Sequence, residues 1–224
     1  MKIFAASLVV AHVIWALSLL IEPERYVFKP LIPPVFALFH LAAAVLFIAE
    51  QNRHAAAATM VLLTYYWLFV KPVEPIAEPQ SVGIIGVTAV FLAGLLPQRF
   101  NNFSAKALDG LFRLGLAYPF FEWGVDAFRN PVHFITYLSV NQVTRRILPS
   151  AFLDEITFFL GAYEVFLGLW ILSGLLRKYA MIFVIATLAV FTVVAGYPLA
   201  FPQNIVLVAA AYTWLRKGDS IFSP

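Results

Sequence analysis

The sequence contains no cysteine, which excludes disulfides, thiolate metal centres and thiol redox chemistry carried by the chain itself. Charge is also scarce. Asp, Glu, Lys and Arg make up 12% of the residues, about half the share usual in soluble domains. So few charges cannot cover a water-facing surface for 224 residues. The sequence lacks a nucleotide-binding fingerprint. It also lacks any basic run long enough to form a phosphate-binding stripe, so the net charge of +3 does not point to nucleic acid.

What it does have is apolar surface. The chain is 62% hydrophobic, with a mean hydropathy of +0.87. A lipid solvent accepts an apolar exterior provided the backbone is satisfied internally, as it is in helices. Apolar runs lie at 3–21, 32–48, 55–70, 82–96, 111–128, 156–176, 179–199 and 201–215, and a span of the hydrocarbon core needs roughly 20 residues. The expectation is an all-α membrane fold of about eight transmembrane helices, with no room for a soluble catalytic domain. The run at 3–21 has the length of a signal sequence. It ends in Glu22-Pro23-Glu24-Arg25 rather than a small-residue cleavage site, so it reads as a retained helix.

The two halves carry matching landmarks. Trp15 and Pro23 stand eight apart, as do Trp123 and Pro131. A basic turn joins the second and third helices of each half, Arg53-His54 and Arg177-Lys178. Pro79-Gln80-Ser81 and Pro202-Gln203-Asn204 introduce the last helices. The offset is 108 residues at the tryptophans, 124 at the first arginines of the turns and 123 at the glutamines. An insertion within 132–155, part of it an interfacial helix, accounts for the change. The expectation is two tandem parallel four-helix units, 1–104 and 105–224. Nine of the fifteen basic residues fall on the side of the termini, which places both termini in the cytoplasm. The short runs 82–96 and 201–215 occupy corresponding places and read as little-tilted helices at the bundle edge.

Ionisable groups at membrane depth are costly and face the interior by default. Five qualify: His12, His40, Glu122, Asp126 and Glu164. At the offset of 124, His40 occupies the place of Glu164. Glu122 and Asp126 stand four apart on one helix face. Such groups suit a proton-handling or quinone-binding site, or they pin helix packing through hydrogen bonds. The second reading is favoured for the histidines, and Asp126 lies near enough to a helix end to reach interfacial water. A b-type haem between His12 and His40 is disfavoured, since consecutive antiparallel helices pack 8–10 Å apart. No intrinsic metal site is expected without Cys or a close His pair.

The second half resembles the DoxX family. Arg113-Leu114-Gly115 opens its first helix, and Gly124, Phe128 and Pro131 follow at the family's spacing. Glu164, Gly168, Gly174 and Arg177 match the second helix and its basic turn. Ala127 departs from the pattern, which has Lys there. The resemblance covers 111–215 and implies a four-helix membrane unit of the kind found in redox complexes, the small subunit of a thiosulfate:quinone oxidoreductase among them. It implies a membrane subunit of a quinone-linked oxidoreductase, resident in a bacterial or archaeal inner membrane. Such a subunit anchors a partner protein and has no autonomous enzymatic apparatus. The alternatives are a transporter of a small or lipidic molecule and a non-catalytic assembly or chaperone factor.

Overall fold

The computed structural model describes residues 2–28, 33–72, 81–96, 105–195 and 200–217. Ten α-helices appear among them: α1 (Lys2–Ile21), α2 (Pro33–Ile48), α3 (Asn52–Phe69), α4 (Ser81–Leu95), α5 (Ala105–Arg129), α6 (Pro131–Val140), α7 (Gln142–Ile147), α8 (Leu153–Ser173), α9 (Arg177–Ala195) and α10 (Ala200–Lys217). The eight apolar runs each become a helix. The expected insertion becomes α6, α7 and a 3-10 turn at Ser150–Phe152. Pro131 sits at the first position of α6, where its missing N–H costs nothing. Asn141 caps α7, its Oδ1 accepting from the amides of Val143 and Thr144 at 2.8 and 3.2 Å. Pro79, Gln80, and the linker 97–104 with Arg99 lie outside the described residues.

One element is not foreshadowed by the hydropathy pattern. Strands β1 (Tyr26–Phe28) and β2 (Val70–Pro72) pair antiparallel, joining the segment after α1 to the segment after α3. Three residues are too few for an alternating pattern to register.

Three helices are long and apolar enough to cross a membrane: Lys2–Ile21, Ser150–Ser173 and Arg177–Val194. Pro33–Ile48 and Val82–Leu95 are apolar but shorter. The longest helix, α5, carries Lys106, Asp109, Arg113, Glu122, Asp126 and Arg129 along its 25 residues, and these charges dilute its apolar character. Large apolar side chains face outward on several helices, among them Leu38, Val45, Val61, Phe166 and Val190. Such an exterior suits acyl chains and would be costly in water.

The helices follow one another around a closed ring. Neighbours pack in the order α1, α2, α3, α4, α5, α8, α9, α10 and back to α1, and α4 also touches α10. Burial recurs around this ring at fixed offsets. At +108, Phe4, Leu8 and His12 of α1 meet Phe112, Leu116 and Phe120 of α5, all buried. At +124, His40, Ala43 and Phe47 of α2 meet Glu164, Leu167 and Ile171 of α8. At +123, Ile84, Val87 and Phe91 of α4 meet Leu207, Ala210 and Trp214 of α10. On α3 and α9 the register is +125, pairing Ala55, Thr59 and Leu63 with Ala180, Val184 and Leu188. The basic turns, aligned on their first arginines, place this helix pair one residue short.

Two seams are built from glycine. A Cβ on Gly124 would lie 2.7 Å from the carbonyl oxygen of Gly161 across the α5–α8 contact. A Cβ on Gly86 would lie 2.8 Å from the Cα of Gly115, where α4 meets α5. Close backbone approach of this kind is the usual means by which helices associate in lipid, where apolar burial gives no drive.

Candidate functional site

The first half places its two mid-helix histidines together. His12 and His40 are in contact through their Nδ1 atoms at 2.8 Å, and His12 Nε2 lies 2.8 Å from Thr59 Oγ1. The Thr59 hydroxyl donates to the Ala55 carbonyl at 2.8 Å. That assignment fixes the rest for neutral rings. A hydroxyl has one proton to give, so Thr59 must accept from His12 Nε2–H. His12 Nδ1 is then an acceptor, and His40 donates to it. All three side chains are buried, with exposures of 0–2%. Aromatic rings enclose them: Trp15 lies 5.4 Å from His12 and 5.5 Å from His40, and Phe36 stands edge-on to His40 at 4.8 Å. The two histidines therefore form a close pair, contrary to the expectation from their separation of 28 residues.

The second half places a different group at the matching position. Glu164 is fully buried in the middle of α8, and neither carboxyl oxygen has a hydrogen-bond partner. At the offsets given above, the equivalent positions also differ. Where the first half has His12, the second has Phe120, and where it has Thr59, the second has Val184. Both partners of the histidine network are thus replaced by apolar side chains, while the group at the position of His40 remains polar. Trp123, the counterpart of Trp15, packs against Phe120 at 5.9 Å and Phe191 at 5.4 Å. A buried polar group without a partner costs about 1–3 kcal/mol, a cost that Glu164 carries.

Glu122 and Asp126 differ in their surroundings. Glu122 is half-buried on α5. Asp126, one turn on, accepts from Asn130 Nδ2 at 2.7 Å and meets His133 Nδ1 at 2.8 Å. Its side chain is 34% exposed and that of His133 26%, which puts the pair at the end of the bundle capped by α6. Neither Asn130 nor His133 drew attention in the sequence, because both lie beyond the apolar run. The helical spacing of Asn130, four after Asp126, was the available signal.

The residues of the family pattern serve packing. Arg113 Nη1 donates to the Leu172 carbonyl at 2.7 Å, and its Nη2 pairs with Asp109 at 2.9 Å. Arg177 reaches the same carboxylate at 3.6 Å and lies 5.5 Å from the centre of the Trp214 ring. Gly174 ends α8 with φ of +69°, a backbone that favours glycine. Gly168 receives Phe121, and Gly115 and Gly124 form the seams described above. Ala127, where the family has Lys, is buried, and a Cβ on Gly161 would lie 2.8 Å from its own Cβ. A long side chain has no space there.

Among the described residues, no group of three or more His, Cys, Asp or Glu is arranged to hold a metal ion. No family model, curated protein or solved structure matches the chain. The functional reading therefore rests on the residues themselves.

Proposed function

We propose that this chain is a DoxX-like integral membrane protein of eight spans, arranged as two parallel four-helix units, and that it serves as the membrane subunit of a quinone-linked oxidoreductase complex. The closed ring of helices and the recurrence of burial at +108, +124, +125 and +123 support the two-unit reading. α1 to α4 form one unit, and α5 with α8 to α10 form the other. The distribution of Lys and Arg favours both termini in the cytoplasm.

The observation that carries the functional reading is Glu164. Its carboxyl is fully enclosed and has no partner for either oxygen, at a position where the other unit holds a satisfied histidine. In its acid form a carboxyl presents one O–H donor and one carbonyl acceptor. That pair suits a quinone, whose carbonyl takes the hydrogen bond and whose reduction calls for a proton. The electrons come from a partner subunit carrying the redox centre, since the chain has no cysteine for an iron–sulfur cluster.

Purification from native membranes into lipid discs, followed by solvent extraction, tests the reading. The wild-type chain should carry a quinone and a redox-active partner, and Glu164→Leu should lose the quinone while keeping the partner. Recovery of the wild-type chain alone, with neither, overturns the reading. Uptake of a small molecule by the reconstituted chain, abolished by Glu164→Gln, would make it a transporter instead.

A further inference from the structure

Between α5 and α8 the chain runs along one end of the bundle as α6 and α7, and its contacts set its depth. Asn141, which caps α7, also donates through Nδ2 to the carbonyls of Val193 and Val194 at 3.0 and 2.9 Å. Val194 is the last residue of the stretch Arg177–Val194, which is long and apolar enough to cross a membrane. Another such stretch, Ser150–Ser173, opens three residues after Ile147 ends α7. α7 is thus held level with the ends of two apolar helices, the depth at which lipid headgroups meet water.

The surface of α7 divides three ways, since successive helical residues turn by about 100°. Thr144 faces the bundle: it is buried, and its hydroxyl donates to the Leu138 carbonyl at 2.6 Å. Val143 and Ile147, four apart, share one flank and are 49% and 70% exposed. Gln142, Arg145 and Arg146 occupy the remaining arc, and all three are exposed. An apolar flank this open is costly in water and favourable against acyl chains. Among the described residues neither arginine has an acidic partner. Asp154 and Glu155 sit in the first turn of α8, where the helix dipole favours an acid.

We propose that α7 is a binding ledge for an anionic phospholipid. The acyl chains lie along Val143 and Ile147, and Arg145 and Arg146 hold the headgroup phosphate. This rests on the reading of the chain as membrane-embedded and is independent of the quinone. A guanidinium pairs with two phosphate oxygens at once. Each unpaired arginine draws an anionic headgroup over a zwitterionic one by about fivefold. Both the apolar flank and the arginines face outward, so the lipid docks without any cavity.

Because the chain has no cysteine, Ser150→Cys gives a single fluorescent label at an exposed position three residues beyond Ile147. The labelled chain is reconstituted in vesicles of phosphatidylcholine and phosphatidylglycerol, one or the other brominated on its acyl chains. At equal mole fraction, quenching should show a local preference for phosphatidylglycerol of about tenfold or more. Arg145→Gln with Arg146→Gln should bring that preference close to one, and Arg145→Lys with Arg146→Lys should keep most of it. Val143→Ser with Ile147→Ser should weaken quenching by both lipids. Equal quenching by the two lipids without further substitution, or an undiminished preference in the glutamine variant, overturns the proposal while leaving the membrane reading in place. A chain that stays in solution without detergent and does not enter vesicles overturns both. A label shielded from both lipids by a co-purifying protein makes the ledge a partner's docking surface instead and overturns the lipid proposal. Circular dichroism close to wild type for each variant separates lost preference from misfolding.

Discussion

His12 and His40, 28 residues apart, meet nitrogen to nitrogen at 2.8 Å in the middle of the α1–α2 hairpin. Their counterparts, Phe120 and Glu164, offer no such bond. The same two positions thus hold a closed polar network in one unit and an unpartnered acid in the other.

The closed network should behave as a coupled set. His12→Leu leaves the donor of His40 and the oxygen of Thr59 without their shared partner, and His40→Leu leaves His12 Nδ1 without its donor. Thermal unfolding in a mild detergent should show each single change to be destabilising. The double variant should cost less than the sum, with a coupling of about 0.5–2 kcal/mol. Strict additivity would mean that the contact contributes nothing.

Transplanting the network should silence the acid. Phe120→His carries the residue of position 12 onto α5 and gives Glu164 a hydrogen-bond partner worth about 1 kcal/mol. The variant should fold at least as stably as the wild type and hold less extractable quinone. Unchanged quinone content would show that an unpartnered Glu164 is not what the ligand requires.

The α5–α8 seam should tolerate nothing larger than glycine at its centre. Gly124→Val places side-chain atoms against the backbone of Gly161, whose oxygen already lies 2.7 Å from an added Cβ. Overpacking of this kind costs about 1–3 kcal/mol, so the melting temperature should fall and the yield of folded protein with it. A wild-type melting curve would mean that the two helices can part without penalty.

The turn between α8 and α9 combines a backbone and a side-chain requirement. Gly174→Ala puts a Cβ at φ of +69° and 2.6 Å from Arg113 Nη1. The backbone term alone is about 1 kcal/mol. Because the methyl also displaces Arg113 from the Leu172 carbonyl, Gly174→Ala should destabilise a chain already carrying Arg113→Gln by less than it does the wild type.

Much of this architecture was readable from residue order. Apolar runs located the eight longest of the described helices, three of which are long and apolar enough to cross a membrane. The Trp15–Pro23 and Trp123–Pro131 spacing marked two helix ends, since each proline lies two residues past the last residue of its helix, Ile21 of α1 and Arg129 of α5. α5 begins six residues earlier than its apolar run, at Ala105, because its first turns carry Lys106 and Asp109 and leave no hydropathy signal. The site was partly legible. His12, His40 and Glu164 stood out as ionisable groups within apolar runs. Thr59 did not, since threonine is ordinary in a membrane helix and only its partner distinguishes it. The tie between Asp126 and His133 depends on the angle at which α6 leaves α5, which no spacing encodes.

The contact of α10 with α1 closes the ring, and on the proposed two-unit reading it brings the end of the second unit back against the start of the first. Two identical units arranged in this way would be bound by symmetry: every residue would occur twice, and a substitution that made one site reactive would make its twin reactive as well. Joining the units in one polypeptide lifts that constraint. One half can keep a hydrogen-bonded network that holds its helices in place, while the other gives up its partners and leaves an acid in reserve. The difference between Phe120 and His12 is a change that a pair of identical chains could not make on one side alone.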